Sequence, residues 1–251
     1  MSAGTEPATR AGAIVTSNAE SLSGIVIHQL KKKGAPIISG GNSMLMDLLT
    51  AICSYGAPEF HLTIAAYTDL YHYYGIPVWG FAGCSDAHMV DQQAAIEACF
   101  SILINALAGT NLIHDVGYLS SGLTGSLEMM VMSDEIIAMA RRLLRGVCTD
   151  ENSLAVEAID RVGPGGNYLS DDHTLNCFKS EFWRPTILNR LDLEQWKAAG
   201  RKAMGEKLRQ RVIEIIETHK PHGLSDIVRK RIETIVAKAK TQKSASSQAG
   251  K

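Results

Sequence analysis

Between residues 10 and 32, apolar positions recur at helical spacing: Ile14, Ala19, Leu22, Ile25, Val26 and Leu30. They predict a first helix, with Lys31-Lys32-Lys33 and Gly34 as its basic stop. The period then shortens, and Ala35-Pro36-Ile37-Ile38-Ser39 reads as a strand ending at Gly40-Gly41-Asn42. Helical spacing returns over 43–54 and 59–74, split by Gly56-Ala57-Pro58. The alternation continues with a strand over 78–81, a helix over 90–107, a strand over 111–116 and a helix over 123–145. Gly34, Gly75 and Gly109 each stand between a helix and the next strand, as helix-terminating glycines do. Such a series predicts an α/β fold with a parallel sheet and right-handed crossovers.

Beyond Gly146 the pattern turns helical, with helices predicted over 151–162, 171–183, 193–219 and 224–240. Gly163-Pro164-Gly165-Gly166-Asn167 breaks the first of these. It lacks the Lys-Ser/Thr ending of a phosphate loop and follows a helix, so it reads as a turn. Tyr168-Leu169 is a possible further strand, and the Ser/Lys-rich stretch 241–251 is expected to be disordered. Three or four strands are too few for a closed parallel barrel, which needs eight in about 250 residues. A three-stranded parallel sheet also leaves two open edges. Either another chain completes the sheet or the chain is a fragment.

Composition narrows the class. The 251 residues are 45% hydrophobic and 20% charged with net charge -1, which suits a soluble globular protein and gives no bulk electrostatic case for nucleic acid. Polar residues interrupt every apolar run well short of about 18 residues, so no membrane span is expected, and the N-terminus lacks the basic-then-apolar order of a secretory signal. Five scattered cysteines, never in Cys-x-x-Cys, read as free thiols in a reducing cytoplasm.

The candidate chemistry lies at two strand ends, Val78-Trp79-Gly80-Phe81-Ala82-Gly83-Cys84-Ser85-Asp86-Ala87-His88 and Leu112-Ile113-His114-Asp115-Val116-Gly117-Tyr118. In parallel α/β folds this edge holds ligands. Cys84 and His88 could ligate zinc, but no third ligand lies nearby in sequence. Cys84 with His88 or His114 could be a nucleophile pair, although nothing local resembles a cysteine hydrolase. Asp86 could cap the following helix or meet a substrate. Asp91, Gln92 and Gln93 open that helix, where the helix dipole alone favours acids. His114-Asp115 ends an apolar strand, a place where packing poorly explains a polar pair. Trp79, Phe81 and Tyr118 could form an aromatic wall for an ammonium group, or pack as ordinary aromatics.

These residues carry a resemblance. Gly83-Cys84-Ser85-Asp86-Ala87, Asp91-Gln92-Gln93-Ala94, Leu107-Ala108-Gly109-Thr110-Asn111 and His114-Asp115-Val116-Gly117-Tyr118-Leu119 look like the trimethylamine methyltransferase family. So do Leu123-Thr124-Gly125-Ser126-Leu127-Glu128, Val162-Gly163-Pro164-Gly165-Gly166-Asn167-Tyr168-Leu169, His173-Thr174-Leu175 and Phe182-Trp183-Arg184-Pro185. The resemblance implies a TIM-barrel scaffold, of which this chain would be the C-terminal half: a partial βα barrel over 1–190, a helical extension over 191–240 and a tail over 241–251. It implies methyl transfer from a methylated amine, trimethylamine or a quaternary amine such as glycine betaine, to Co(I) of a corrinoid. That cobalamin-type cofactor would be carried by a separate partner protein and not held tightly by this chain. Asp86, His114 and Asp115 are then the candidate catalytic residues. Trp79, Phe81, His88, Asp91, Gln92 and Tyr118 are the candidate substrate contacts, with no resident metal. A homo-oligomer is expected, without nucleic-acid or membrane partners. The alternatives are a non-catalytic half-barrel that needs a separate N-terminal half and, more weakly, a zinc-dependent methyltransferase.

Overall fold

The first helix, α1 (Arg10–Lys31), forms where the apolar spacing predicts it. The computed structural model describes residues 2–40 and 43–248; Gly41 and Asn42, and residues 249–251 of the expected tail, lie outside them. The predicted strand 35–39 is reduced to a single parallel bridge between Ser39 and Val78.

The segment 43–54 is a correction. Instead of a helix it forms an antiparallel hairpin, β1 (Leu45–Met46) with β2 (Cys53–Ser54). The Asp47 carboxylate accepts from the backbone N–H groups of Leu49 and Thr50 at 2.8 and 3.0 Å, and Ala51 adopts φ 57°. This side-chain turn gives the backbone an alternative to the helical ladder and reverses the chain.

The next units follow the pattern more closely. Helix α2 (Pro58–Tyr73) has proline in its first turn and buries Phe60, Ile64, Tyr67, Thr68 and Tyr71, one face at helical spacing. Strand β3 (Trp79–Phe81) leads to α3 (Gln92–Ala108), capped by Asp91 and ended by Gly109 in the left-handed region. Strand β4 (Leu112–His114) pairs in parallel with β3, with Trp79 opposite Leu112 and Phe81 opposite His114. The predicted helix 123–145 starts late. A small antiparallel pair, β5 (Tyr118–Leu119) with β6 (Thr124–Gly125), precedes α4 (Leu127–Leu144), because Ser120, Ser121 and Gly122 all turn through positive φ.

The two faces of the β3–β4 pair differ. A Cβ on Gly80 would lie 2.7 Å from Thr110 Cγ2, 2.8 Å from Asn105 Oδ1 and 3.1 Å from Ile64 Cγ2, so only glycine lets the strand approach α2 and α3 this closely. Side chains alternate along a strand, which puts Trp79 and Phe81 on the other face. That face is open: Trp79 and Leu112 are each 46% exposed. On the covered side, α3 presents Ala94, Ala98, Ser101, Ile102 and Asn105, and its polar members grip the strand end. Asn105 Nδ2 donates to the Phe81 carbonyl at 2.9 Å, and the Gly83 N–H donates to Ser101 Oγ at 3.0 Å.

The remaining helices are α5 (Glu151–Leu154), α6 (Val156–Val162), α7 (Asp172–Glu181), α8 (Leu193–Ala198), α9 (Met204–Thr218) and α10 (Asp226–Gln248). Ala155 splits the predicted helix 151–162, and Gly200-Arg201 splits the predicted helix 193–219, each through positive φ. Tyr168 and Leu169 lie in loop, not strand, and α10 runs through residues 241–248 of the stretch read as disordered. The main core joins Ala94, Ala98 and Ile102 of α3 with Met129, Met132 and Ile136 of α4, and takes in Ile187 and, from beyond the predicted barrel segment, Leu208. The chain divides into compact units Met1–Val212 and Ile213–Lys251. Among the described residues the named strands make three two-stranded sheets, and no barrel closes. The fold observed is mixed α/β with small sheets, because no further strand pairs with the free edge of β4.

Candidate functional site

The two strand ends singled out from the sequence are laced together by main-chain hydrogen bonds. Ala82 N–H donates to the His114 carbonyl at 3.0 Å, Gly117 to Gly83 at 3.1 Å, Ser85 to Tyr118 at 3.0 Å, and Ser120 to Ala87 at 2.9 Å. This lacing carries the parallel pairing beyond the strands and fixes residues 82–87 against 114–120.

At the mouth of the open face stands an aromatic cluster. The His114 ring lies 4.0 Å from Phe81, centroid to centroid, and 5.0 Å from Trp79, edge to face. His114 Nδ1–H donates to Asp115 Oδ1 at 2.7 Å, with side-chain exposures of 33% and 25%. Asp115 holds φ 71°, a left-handed conformation that aspartate tolerates better than most residues. Trp79, Phe81, His114 and Asp115 are therefore brought together as the sequence suggested. Tyr118 is not: it is 41% exposed and makes no ring contact among the described residues. Tyr55, which no sequence pattern singled out, takes up the aromatic cluster instead, at 6.3 Å from Phe81 and 5.6 Å from Phe60.

Asp86 does not cap α3. Asp91 does, accepting from the Ala94 N–H at 3.0 Å. Asp86 instead accepts from Ser54 Oγ, from Ser121 Oγ at 2.7 Å, and from the N–H groups of Tyr55 and Gly56 at 2.9 and 3.0 Å. Burial pushes its carboxyl upward, but these four donors outweigh that and hold it below the usual carboxylate range. With its lone pairs engaged, Asp86 is a clamp that ties the β2–α2, β3–α3 and β5–β6 loops together. Behind it, Glu97 of α3 accepts from Ser85 Oγ at 2.5 Å and from the Asp86 N–H at 2.8 Å. Gly56 leaves room for that carboxylate, since a Cβ there would lie 2.3 Å from Glu97 Cδ.

Cys84 is buried, and burial first, then Asp115 and Asp86, pushes its thiol up to about 12. It is no thiolate at neutral pH, which leaves a Cys84 nucleophile without support. Exposed His88 bonds Ser120 Oγ at 3.0 Å. Both line a cavity of about 310 Å³ together with Asp47, Ser54, Asp86 and Ser121. Gln92 is exposed on the first turn of α3. No group of three or more His, Cys, Asp or Glu side chains among the described residues could hold a metal ion. His61, buried on α2, carries no motif that marks it in the sequence. Its Nε2–H donates to the Tyr55 carbonyl at 2.9 Å, Nδ1 has no partner, and burial lowers its pKa, so the ring is neutral at pH 7.

A half-open aromatic surface beside a carboxylate, at a sheet's C-terminal edge, is suited to a small cation. The family model for trimethylamine methyltransferase (MTTB) matches residues 1–244. Trimethylamine methyltransferase MttB of Desulfitobacterium hafniense is 34% identical over 236 residues, covering 94% of this chain and 47% of that protein. MttB of Methanosarcina barkeri is 35% identical over 239 residues, covering 95% and 48%. A glycine betaine methyltransferase from another Desulfitobacterium hafniense strain is 32% identical over 238 residues, covering 94% and 50%. The chain thus spans about half the length of the curated relatives it matches.

Proposed function

Because the chain belongs to the trimethylamine methyltransferase family, we propose that it forms part of an enzyme that takes a methyl group from a tertiary or quaternary methylated amine and delivers it to a corrinoid carried by a separate protein. The observation that carries this reading is the aromatic surface of Trp79 and Phe81 around the His114–Asp115 pair. Aromatic faces attract alkylammonium groups by about 0.5–2 kcal/mol each, more when dry. The Asp115 carboxylate balances the positive charge. A quaternary nitrogen already carries the charge that makes the amine a competent leaving group, so these side chains mainly orient one methyl for in-line attack and exclude water.

The corrinoid would supply a Co(I) nucleophile. The cavity of about 310 Å³ suits a small ligand, and exposed Leu48, Leu49, Ile52 and Leu123 stand at its rim or on the adjoining hairpin. Both features favour a corrin brought by a docking partner over one enclosed in this chain. The test is methylation of cob(I)alamin by the complete protein with trimethylamine, tetramethylammonium and glycine betaine in turn. Product with at least one is expected, and no turnover with any would refute the reading.

Three observations favour a second reading, that this chain is inactive without a separately supplied N-terminal half. The open face bearing Trp79 and Leu112, the free edge of β4 and the half-length match to the relatives all leave room for one. Size exclusion and thermal unfolding of the isolated chain discriminate: a sharp monomeric transition counts against an incomplete barrel, whereas aggregation or a broad transition favours it.

A further inference from the structure

Tyr55 is held by more of its surroundings than packing requires. Its N–H donates to Asp86 and its carbonyl accepts from His61, so two half-buried or buried ionisable groups fix one residue's main chain. Its ring is half-buried between Phe60 and Phe81. At its far end stands Gly122, where an added Cβ would come 3.7 Å from the ring's Cζ. The hydroxyl makes no hydrogen bond among the described residues, and burial, then Asp115, raises its pKa, so the phenol stays neutral.

We propose that Tyr55 is a substrate-contacting residue, its ring extending the Trp79–His114–Phe81 surface so that the site selects alkylammonium groups over neutral molecules of the same shape. The proposal rests on the methylated-amine reading. It also gives Asp86 and His61 a function as positioning residues that act through Tyr55. A ring so placed offers its electron-rich face to a cation, and a neutral hydroxyl leaves the charge balance to Asp115.

The experiment is calorimetric titration of the complete protein with tetramethylammonium and with its neutral isostere 3,3-dimethylbutanol. Tyr55→Leu should weaken tetramethylammonium about 3- to 30-fold, the attraction of one ring, and leave the neutral isostere unchanged. Tyr55→Phe should bind both as the native chain does. If Tyr55→Leu fails to fold, phenylalanines of increasing fluorination at position 55 keep the shape while draining the ring face, and cation affinity should fall at each step. A flat fluorination series, or equal losses for cation and isostere, overturns the role of Tyr55 while the methylated-amine reading survives. A complete native protein that binds no alkylammonium overturns both.

Discussion

Asp86 shows how a single residue's chemistry can be visible while its task is not. A carboxylate in a strand-end loop suggests catalysis or a helix cap, yet four donors from two other segments, 54–56 and Ser121, converge on it. Asp86→Asn should cost about 3 kcal/mol in urea unfolding, since it removes an ionised acceptor and turns an amide against N–H and O–H donors. The pH dependence follows from the same bonds. Asp86 and Glu135 are both held below their ordinary values of 3.8 and 4.5. Their stabilisation is therefore fully present above those values and is lost as pH falls through the lower folded ones. Urea midpoints should hold steady above about pH 5 and drop below about pH 4, and Asp86→Asn should flatten that drop. The thiols give another check. With Cys84 buried and pushed up to about 12, iodoacetamide at pH 8 should label exposed Cys148 first and reach Cys84 only on unfolding, as read by peptide mass spectrometry.

At the scale of the element, the α/β units were legible where a helix has one buried face and a clear stop. Helices α2 and α3 form over the predicted ranges and each buries one face, and Asp91 and Gly109 bound α3 as caps. Asp91→Ala should lower stability by about 1 kcal/mol, and Asp91→Ser should restore most of it, both measured by thermal unfolding. The segment 45–54 has helical apolar spacing yet turns as a hairpin, and its apolar residues are not covered; Leu49 is 96% exposed. A local side-chain turn at Asp47 outweighed the periodicity. Tyr55 falls in the seam between the two predicted helices, where no periodicity marks it. Gly80 is invisible in a different way, since only the neighbours Thr110 and Asn105 reveal that it has no room for a side chain. Gly80→Ala should destabilise by about 1–3 kcal/mol through overpacking.

At the scale of the whole molecule, the segment after α7 is tied to the main core by one buried carboxylate. Glu135 of α4 accepts from the N–H groups of Thr186, Ile187 and Leu188 at 2.9, 2.9 and 3.0 Å, and from Thr186 Oγ1 at 2.6 Å. Glu135→Ala should strand these donors, cost about 3 kcal/mol and open residues 186–190 to limited proteolysis. Ile187 and Leu208 enter the same core, so packing carries the larger unit beyond the end of the predicted barrel segment. The sequence by itself determined the alternation of strands and helices, the meeting of two polar strand ends and the family, because periodicity, caps and motifs are local and survive without neighbours. Only the tertiary structure decided that Asp86 is a clamp, that Tyr55 replaces Tyr118 in the aromatic cluster, and that one sheet face stands open. Those outcomes depend on which donors, rings and backbones converge from segments distant in the chain.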